Sequence, residues 1–154
     1  MRNLIEVLRF CFISPEALFL VSIISCSFFF PSMFVAVGTQ FKVNSEVWKF
    51  MPSIPILLAT ASIKLAWNIL APLGGSSAKI LYQWEGYWKL KYRVVASIVM
   101  CGMVAICSIA LWIFSKDLSE LKIGTIFISS VAVAATVTFN QLLAAFKLRE
   151  LMDL

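Results

Sequence analysis

The chain alternates long uncharged apolar stretches with short segments that gather nearly all of its charge. A helix rising about 1.5 Å per residue needs roughly 20 apolar residues to cross a bilayer. The pattern predicts four such spans, over residues 17–37, 50–73, 94–114 and 123–146. Prolines punctuate them. Ser14-Pro15-Glu16 reads as a helix start, with a capping hydroxyl, proline in the first turn and an acid near the positive dipole end. Pro31 is expected to kink the first span near its far end, Pro52 and Pro55 occupy the opening turns of the second, and Pro72 closes it. A short polar loop is expected over 38–49, a flexible break at Gly74-Gly75-Ser76-Ser77, and a charged turn over 115–122. Residues 1–13 form an amphipathic lead in which Leu4, Leu8 and Cys11 share a face.

A cleaved signal peptide is the rival reading of the first span, because Ala36-Val37-Gly38 resembles a small-residue cleavage site. The apolar stretch is longer than a signal core, which favours a retained span.

Between the second and third spans, residues 79–93 interleave aromatic and basic residues. On a helical wheel Ile80, Leu81, Trp84, Tyr87, Trp88 and Tyr92 share an arc, with Lys79, Lys89 and Arg93 opposite and Lys91 near the apolar side. Amphipathic rings with cationic neighbours settle at the level of lipid headgroups, so a helix along the interface, or prolonging the third span, is expected. Lys79, Trp84, Trp88, Lys89, Lys91 and Arg93 are the candidate interface or partner-docking residues.

Composition agrees with this pattern. The chain is 61% hydrophobic and 14% charged, with mean hydropathy +0.93, well outside the balance of soluble domains. The expected class is an all-α polytopic membrane protein with four transmembrane helices and short amphipathic interfacial helices. A net charge of +5 would point to nucleic acid in a soluble protein. Here the basic residues flank apolar runs, which points to topology and anionic lipid instead, and direct nucleic-acid binding is not expected. With both termini cytoplasmic, eight lysines and arginines lie inside (Arg2, Arg9, Lys79, Lys89, Lys91, Arg93, Lys147, Arg149) against four outside (Lys42, Lys49, Lys116, Lys122). That asymmetry sets the orientation.

The candidate chemistry is sparse. There is no histidine, no phosphate-binding glycine loop and no serine with a basic partner placed to activate it. The acids Glu6, Glu16, Glu46, Glu85, Asp117, Glu120, Glu150 and Asp153 fall at or outside the expected boundaries, so no intramembrane carboxylate is expected. Neither an enzyme nor a bound cofactor or metal is expected. Cys11, Cys26, Cys101 and Cys107 lack C-x-x-C spacing and read as small packing residues, with acylation of Cys11 a lesser alternative.

Lys64 is the ionisable residue expected inside a span. Snorkelling towards the headgroups or bundle packing competes there with a role in an ion pathway. Asn68, one turn on, is expected to bond across helices. The third span carries Ser97, Cys101 and Ala105 at small-xxx-small spacing, and the fourth carries Thr125, Ser129, Ala132, Thr136 and Asn140 along one face. Small and weakly polar stripes let helices approach closely in lipid. The fourth-span stripe either packs within one subunit or faces a symmetry axis or water-filled cavity of a homo-oligomer.

In span count, size and topology the whole chain resembles the small membrane subunit of the Kiwa anti-phage system, and it is similar in layout to immunity proteins against pore-forming colicins. No diagnostic motif carries the resemblance and no site residue is transferred by it. The Kiwa resemblance implies a cytoplasmic nucleic-acid-binding partner. The expected function is a non-enzymatic membrane subunit, oligomeric, that docks a cytoplasmic protein and senses or perturbs the bilayer. A homo-oligomeric pore lined by Thr136 and Asn140, and an immunity protein against a membrane-active toxin, are the alternatives.

Overall fold

A computed structural model of the protein describes residues 14–70 and 86–152. Among these, every regular element is a helix: α1 (Pro15–Phe29), α2 (Pro31–Val43), α3 (Ser45–Phe50), α4 (Ser53–Leu70), α5 (Tyr87–Phe114) and α6 (Glu120–Met152). Three stretches are long and apolar enough to cross a membrane: Glu46–Leu70, which joins α3 to α4, Tyr87–Phe114 and Glu120–Glu150. The pair α1–α2 makes a fourth if it is counted as one bent span. The protein is an all-α polytopic membrane protein.

The predicted start of α1 is present: Ser14 Oγ accepts from the Ala17 amide at 3.2 Å. The expected kink at Pro31 is instead a break of 95°. Proline has no N–H to continue the ladder, its ring opposes the carbonyl four residues back, and it drives the preceding residue out of the helical region. Phe30 accordingly lies at φ −128°, ψ 59°. With 15 residues, α1 covers only about 22 Å of a hydrocarbon core about 30 Å thick. The polar loop expected over 38–49 is also corrected: α2 continues to Val43, and Asn44 Oδ1 caps α3 by accepting from the Glu46 and Val47 amides. Local capping there outweighs the polarity of the side chains. Residues 87–93 prolong the third span rather than forming a separate helix. Lys79 and Trp84, with the rest of residues 71–85, lie outside the described residues, as do Cys11 and the amphipathic lead.

α6 is the central element and packs against α1, α2, α4 and α5, while α4 and α5 also pack on each other. Three buried clusters stack along it. Phe41, Met51, Leu111 and Ile123 fill the end near Glu120; Ala59, Cys101, Val104, Val133, Ala134 and Val137 fill the middle; Ala66, Ile69, Tyr87, Val94 and Leu148 fill the end near Lys147. Large apolar side chains such as Phe28, Leu57, Trp67, Ile106, Phe139 and Phe146 point outwards, as lipid-facing positions do.

Two glycines set how α2 crosses α6. A Cβ on Gly38 would stand 2.0 Å from the Glu120 carbonyl oxygen, and one on Gly124 would stand 2.0 Å from that of Phe34. Backbone therefore meets backbone at this crossing, where only glycine fits. Thr39 Oγ1 donates to Glu120 Oε2 at 2.8 Å and the rings of Phe41 and Phe127 meet edge to face at 4.7 Å, closing the contact on both flanks.

Candidate functional site

α4, α5 and α6 form a tight trio, whereas α1 leans mainly on α6. The face of α6 turned towards α1 and α5 is the weakly polar stripe singled out above. Its members end up in different circumstances. Thr125 and Thr136 donate to the Leu121 and Ala132 carbonyls of their own helix, at 2.8 Å each. Ala132 is half-buried and Ser129 is buried. Asn140 reaches across to α1, where its Nδ2 donates to Glu16 Oε1 at 2.8 Å.

That last contact takes Glu16, expected at a span boundary, into the interior of the bundle. Its side chain is only 2% exposed, and its partner lies seven residues, or about 10 Å, deeper along α6 than Lys147. The reason is tertiary: α1 begins against the interior of α6, so the acid at its first turn is carried inside. A buried carboxyl group is tolerable only with a hydrogen-bond donor beside it, and Asn140 supplies one.

Two cavities open over the stripe. The first, about 520 Å³, is lined on α5 by Leu90, Arg93, Val94 and Ser97, and on α6 by residues that include Asn140, Gln141, Lys147 and Glu150. The second, about 350 Å³, lies further along the same helices among Leu20 and Ile24 of α1, Met100, Met103 and Cys107 of α5, and Thr125, Ser129 and Val133 of α6. On α5 they are one turn apart, at Ser97 and Met100, and on α6 about two turns apart, between Val133 and Asn140. The first mixes charged and polar side chains with apolar ones, whereas the walls of the second are apolar except for Thr125, Ser129 and Ser130, the usual make-up of a small-molecule site.

Among the described residues, the buried side-chain polar atoms without a hydrogen-bond partner are Ser129 Oγ and both ends of the Gln141 amide. Both residues line these cavities, Gln141 the first and Ser129 the second. Leaving such a group unpaired costs about 1–3 kcal/mol. Gln141, 2% exposed, was not singled out in the sequence, where a glutamine near the end of a span looks like a boundary residue.

The remaining candidates divide clearly. Ser97 and Cys101 are buried in the packing face of α5, with Ala105 half-buried at its edge. Tyr87 is buried and its hydroxyl donates to the Leu70 carbonyl at 3.3 Å, tying the start of α5 to the end of α4. Trp88, Lys89 and Arg93 are exposed, and Lys91 Nζ lies 5.3 Å from the Trp88 ring centre, within cation–π range. Lys64 and Asn68 both face outwards on α4, and Asn68 makes no hydrogen bond to another helix among the described residues. The cross-helix contact expected of Asn68 belongs instead to Ser62, whose Oγ pairs with Thr138 Oγ1 at 2.6 Å, because Ala59, Ser62, Ala66 and Ile69 occupy the buried face of α4. Thr138 Oγ1 also donates to the carbonyls of Leu58 and Ala134.

No group of histidine, cysteine or acidic residues suited to a metal occurs among the described residues. Cys26, Cys101 and Cys107 are free thiols. No protein-family model, curated protein or solved structure matches the chain.

Proposed function

We propose that the protein is a non-enzymatic subunit of the bacterial inner membrane, with both termini cytoplasmic, that docks a cytoplasmic protein partner. The observation that carries this reading is the braced end of the bundle at Tyr87. There α5 and α6 close together over a buried cluster of Ala66, Ile69, Tyr87, Val94 and Leu148, and the Tyr87 hydroxyl is tied to Leu70. That end of the bundle carries Lys89, Lys91, Arg93, Lys147 and Arg149 against Glu150, with Lys91 beside the exposed ring of Trp88. A scaffold presenting an aromatic residue and arginines has the make-up of a docking surface, and its excess of lysines and arginines supports a cytoplasmic side. Association into homo-oligomers and a role in phage defence belong to the same proposal, through the resemblance in layout.

The pore alternative draws no support from Asn140, whose amide is engaged with Glu16 inside the subunit.

Reporter fusions after Leu154 and within residues 116–122 test orientation; the first is expected to report inside and the second outside. Partner docking is tested by purifying the full-length protein from its native host in mild detergent. Lys89→Glu with Lys91→Glu is expected to abolish co-elution of a soluble partner, while Lys42→Glu with Lys116→Glu leaves it intact. Equal loss from both pairs, or a periplasmic C-terminus, overturns the reading. Conductance of the purified protein in planar bilayers would instead establish the pore.

A further inference from the structure

We propose that the groove over the α6 stripe is a phospholipid site. A singly charged anionic phospholipid would sit with its headgroup at Arg93 and Lys147 and one acyl chain running into the apolar cavity between α1 and α5. This rests on the groove itself and holds whether or not the braced end docks a protein.

Polar partners are wanting deep in the groove. Gln141 is buried beneath the mouth with its donor and its acceptor both unpaired, and Ser129 is buried further in with its hydroxyl unpaired. Buried amides in native structures have partners, supplied by protein, water or ligand. A phosphodiester or glycerol ester oxygen accepts from Gln141 Nε2, and a hydroxyl on the headgroup donates to Oε1. Phosphatidylglycerol offers both.

Charge at the mouth selects the same class. Among the lining side chains Arg93 and Lys147 are opposed by Glu150, a balance of +1, while Glu16 lies behind the wall, held by Asn140. That balance suits a phosphodiester monoanion and disfavours a phosphomonoester dianion. Basic pockets between transmembrane helices at the cytoplasmic side are where anionic headgroups settle.

The shape selects a lipid over a soluble anion. Beside the mouth the apolar lining is Leu90 and the buried Val94, with Leu143 and Phe146 at the lipid-exposed rim. One turn further along α5 begins the second cavity, walled by Leu20, Ile24, Met100, Met103 and Val133. Methionines conform readily to a chain of variable shape. A free phosphate would leave this apolar path unfilled.

The test is native mass spectrometry of the full-length protein, delipidated in detergent and titrated with dioleoyl phosphatidylglycerol, dioleoyl phosphatidylcholine, dihexanoyl phosphatidylglycerol or sodium phosphate. One dioleoyl phosphatidylglycerol is expected to bind at least about tenfold more tightly than the choline lipid. Arg93→Gln with Lys147→Gln should remove that preference, whereas Lys89→Gln with Arg149→Gln, which removes the same charge outside the groove, should leave it intact. Ser129→Phe, which fills the inner cavity, should weaken the dioleoyl lipid towards the affinity of the dihexanoyl one. Gln141→Leu guards against variants that simply misfold: the lipid-free protein should become more resistant to unfolding, while the stabilisation gained from added dioleoyl phosphatidylglycerol should shrink. Equal binding of the choline lipid, equal loss in the control pair, or competition by millimolar sodium phosphate overturns the proposal. So does a Gln141→Leu protein that is both less stable without lipid and equally stabilised by it.

Discussion

Replacing Gly124 with alanine isolates the crossing of α2 over α6. The added methyl would stand 2.0 Å from the Phe34 carbonyl oxygen. Ordinary contact begins near 3.4 Å, so the helices must part by about 1.4 Å at this point. Separation on that scale carries the Thr39–Glu120 hydrogen bond, now 2.8 Å, out of range and opens the edge-to-face pair of Phe41 and Phe127. Overpacking costs about 1–3 kcal/mol, a hydrogen bond to a carboxylate is worth about 1.5–3, and an aromatic pair about 0.5–1.5. The better helix propensity of alanine returns up to about 1 kcal/mol. The net expectation is a loss of at least about 2 kcal/mol. The assay is equilibrium unfolding of the full-length protein in mixed micelles by added dodecyl sulfate, followed by tryptophan fluorescence. Trp48 packs against the cluster at this crossing and reports on it. Gly102→Ala is the matched control, since a Cβ there meets nothing within 4 Å. Gly38→Ala added to Gly124→Ala should cost clearly less than the sum of the two, because helices already parted accommodate both methyls. If Gly124→Ala unfolds like Gly102→Ala, or if the two crossing variants add fully, the close approach of α2 to α6 is not what holds α2 in place.

Three further outcomes follow from the hydrogen bonds inside the bundle. Asn140→Leu leaves Glu16 buried without its donor and should destabilise by about 1.5–3 kcal/mol in the same assay, whereas Glu16→Gln, which keeps an acceptor, should cost under about 1; the reverse order would remove the pair from the core. Thr138→Val breaks the link to Ser62 and Leu58 and should cost about 0.6–1.5 kcal/mol, more than Thr136→Val, whose hydroxyl serves its own helix alone. Equal costs at both positions would show that the link across to α4 adds nothing. Finally, cysteine at Thr136 is expected to cross-link between subunits only if α6 also lines an oligomer interface; with Asn140 held by Glu16 the expected product is monomeric, and efficient cross-linking there would refute a stripe enclosed within one subunit.

Much of this protein is determined by its sequence. Runs of apolar residues near 20 in length leave the backbone no partner but itself in lipid, so α4, α5 and α6 follow from hydropathy alone. Ser14, Pro15 and the chain break at Pro31 are equally local, because they act through hydrogen bonds and sterics within one turn. The small-residue stripe of α5 marks its packing face for the same reason that small residues do in any bilayer. Tertiary structure decided the rest. Nothing local distinguishes a kink from the 95° turn of α2; that depends on Gly38 and Gly124 meeting carbonyls from another helix. Nothing local tells Glu16 that it will face Asn140, 124 residues away along the chain. Periodicity placed Thr125, Ser129 and Asn140 on one face of α6 but could not say what that face meets. Because α1 leans on α6 beside α5, the stripe floors a groove, and Gln141, which looks like an ordinary boundary residue in the sequence, becomes its buried and unpaired amide.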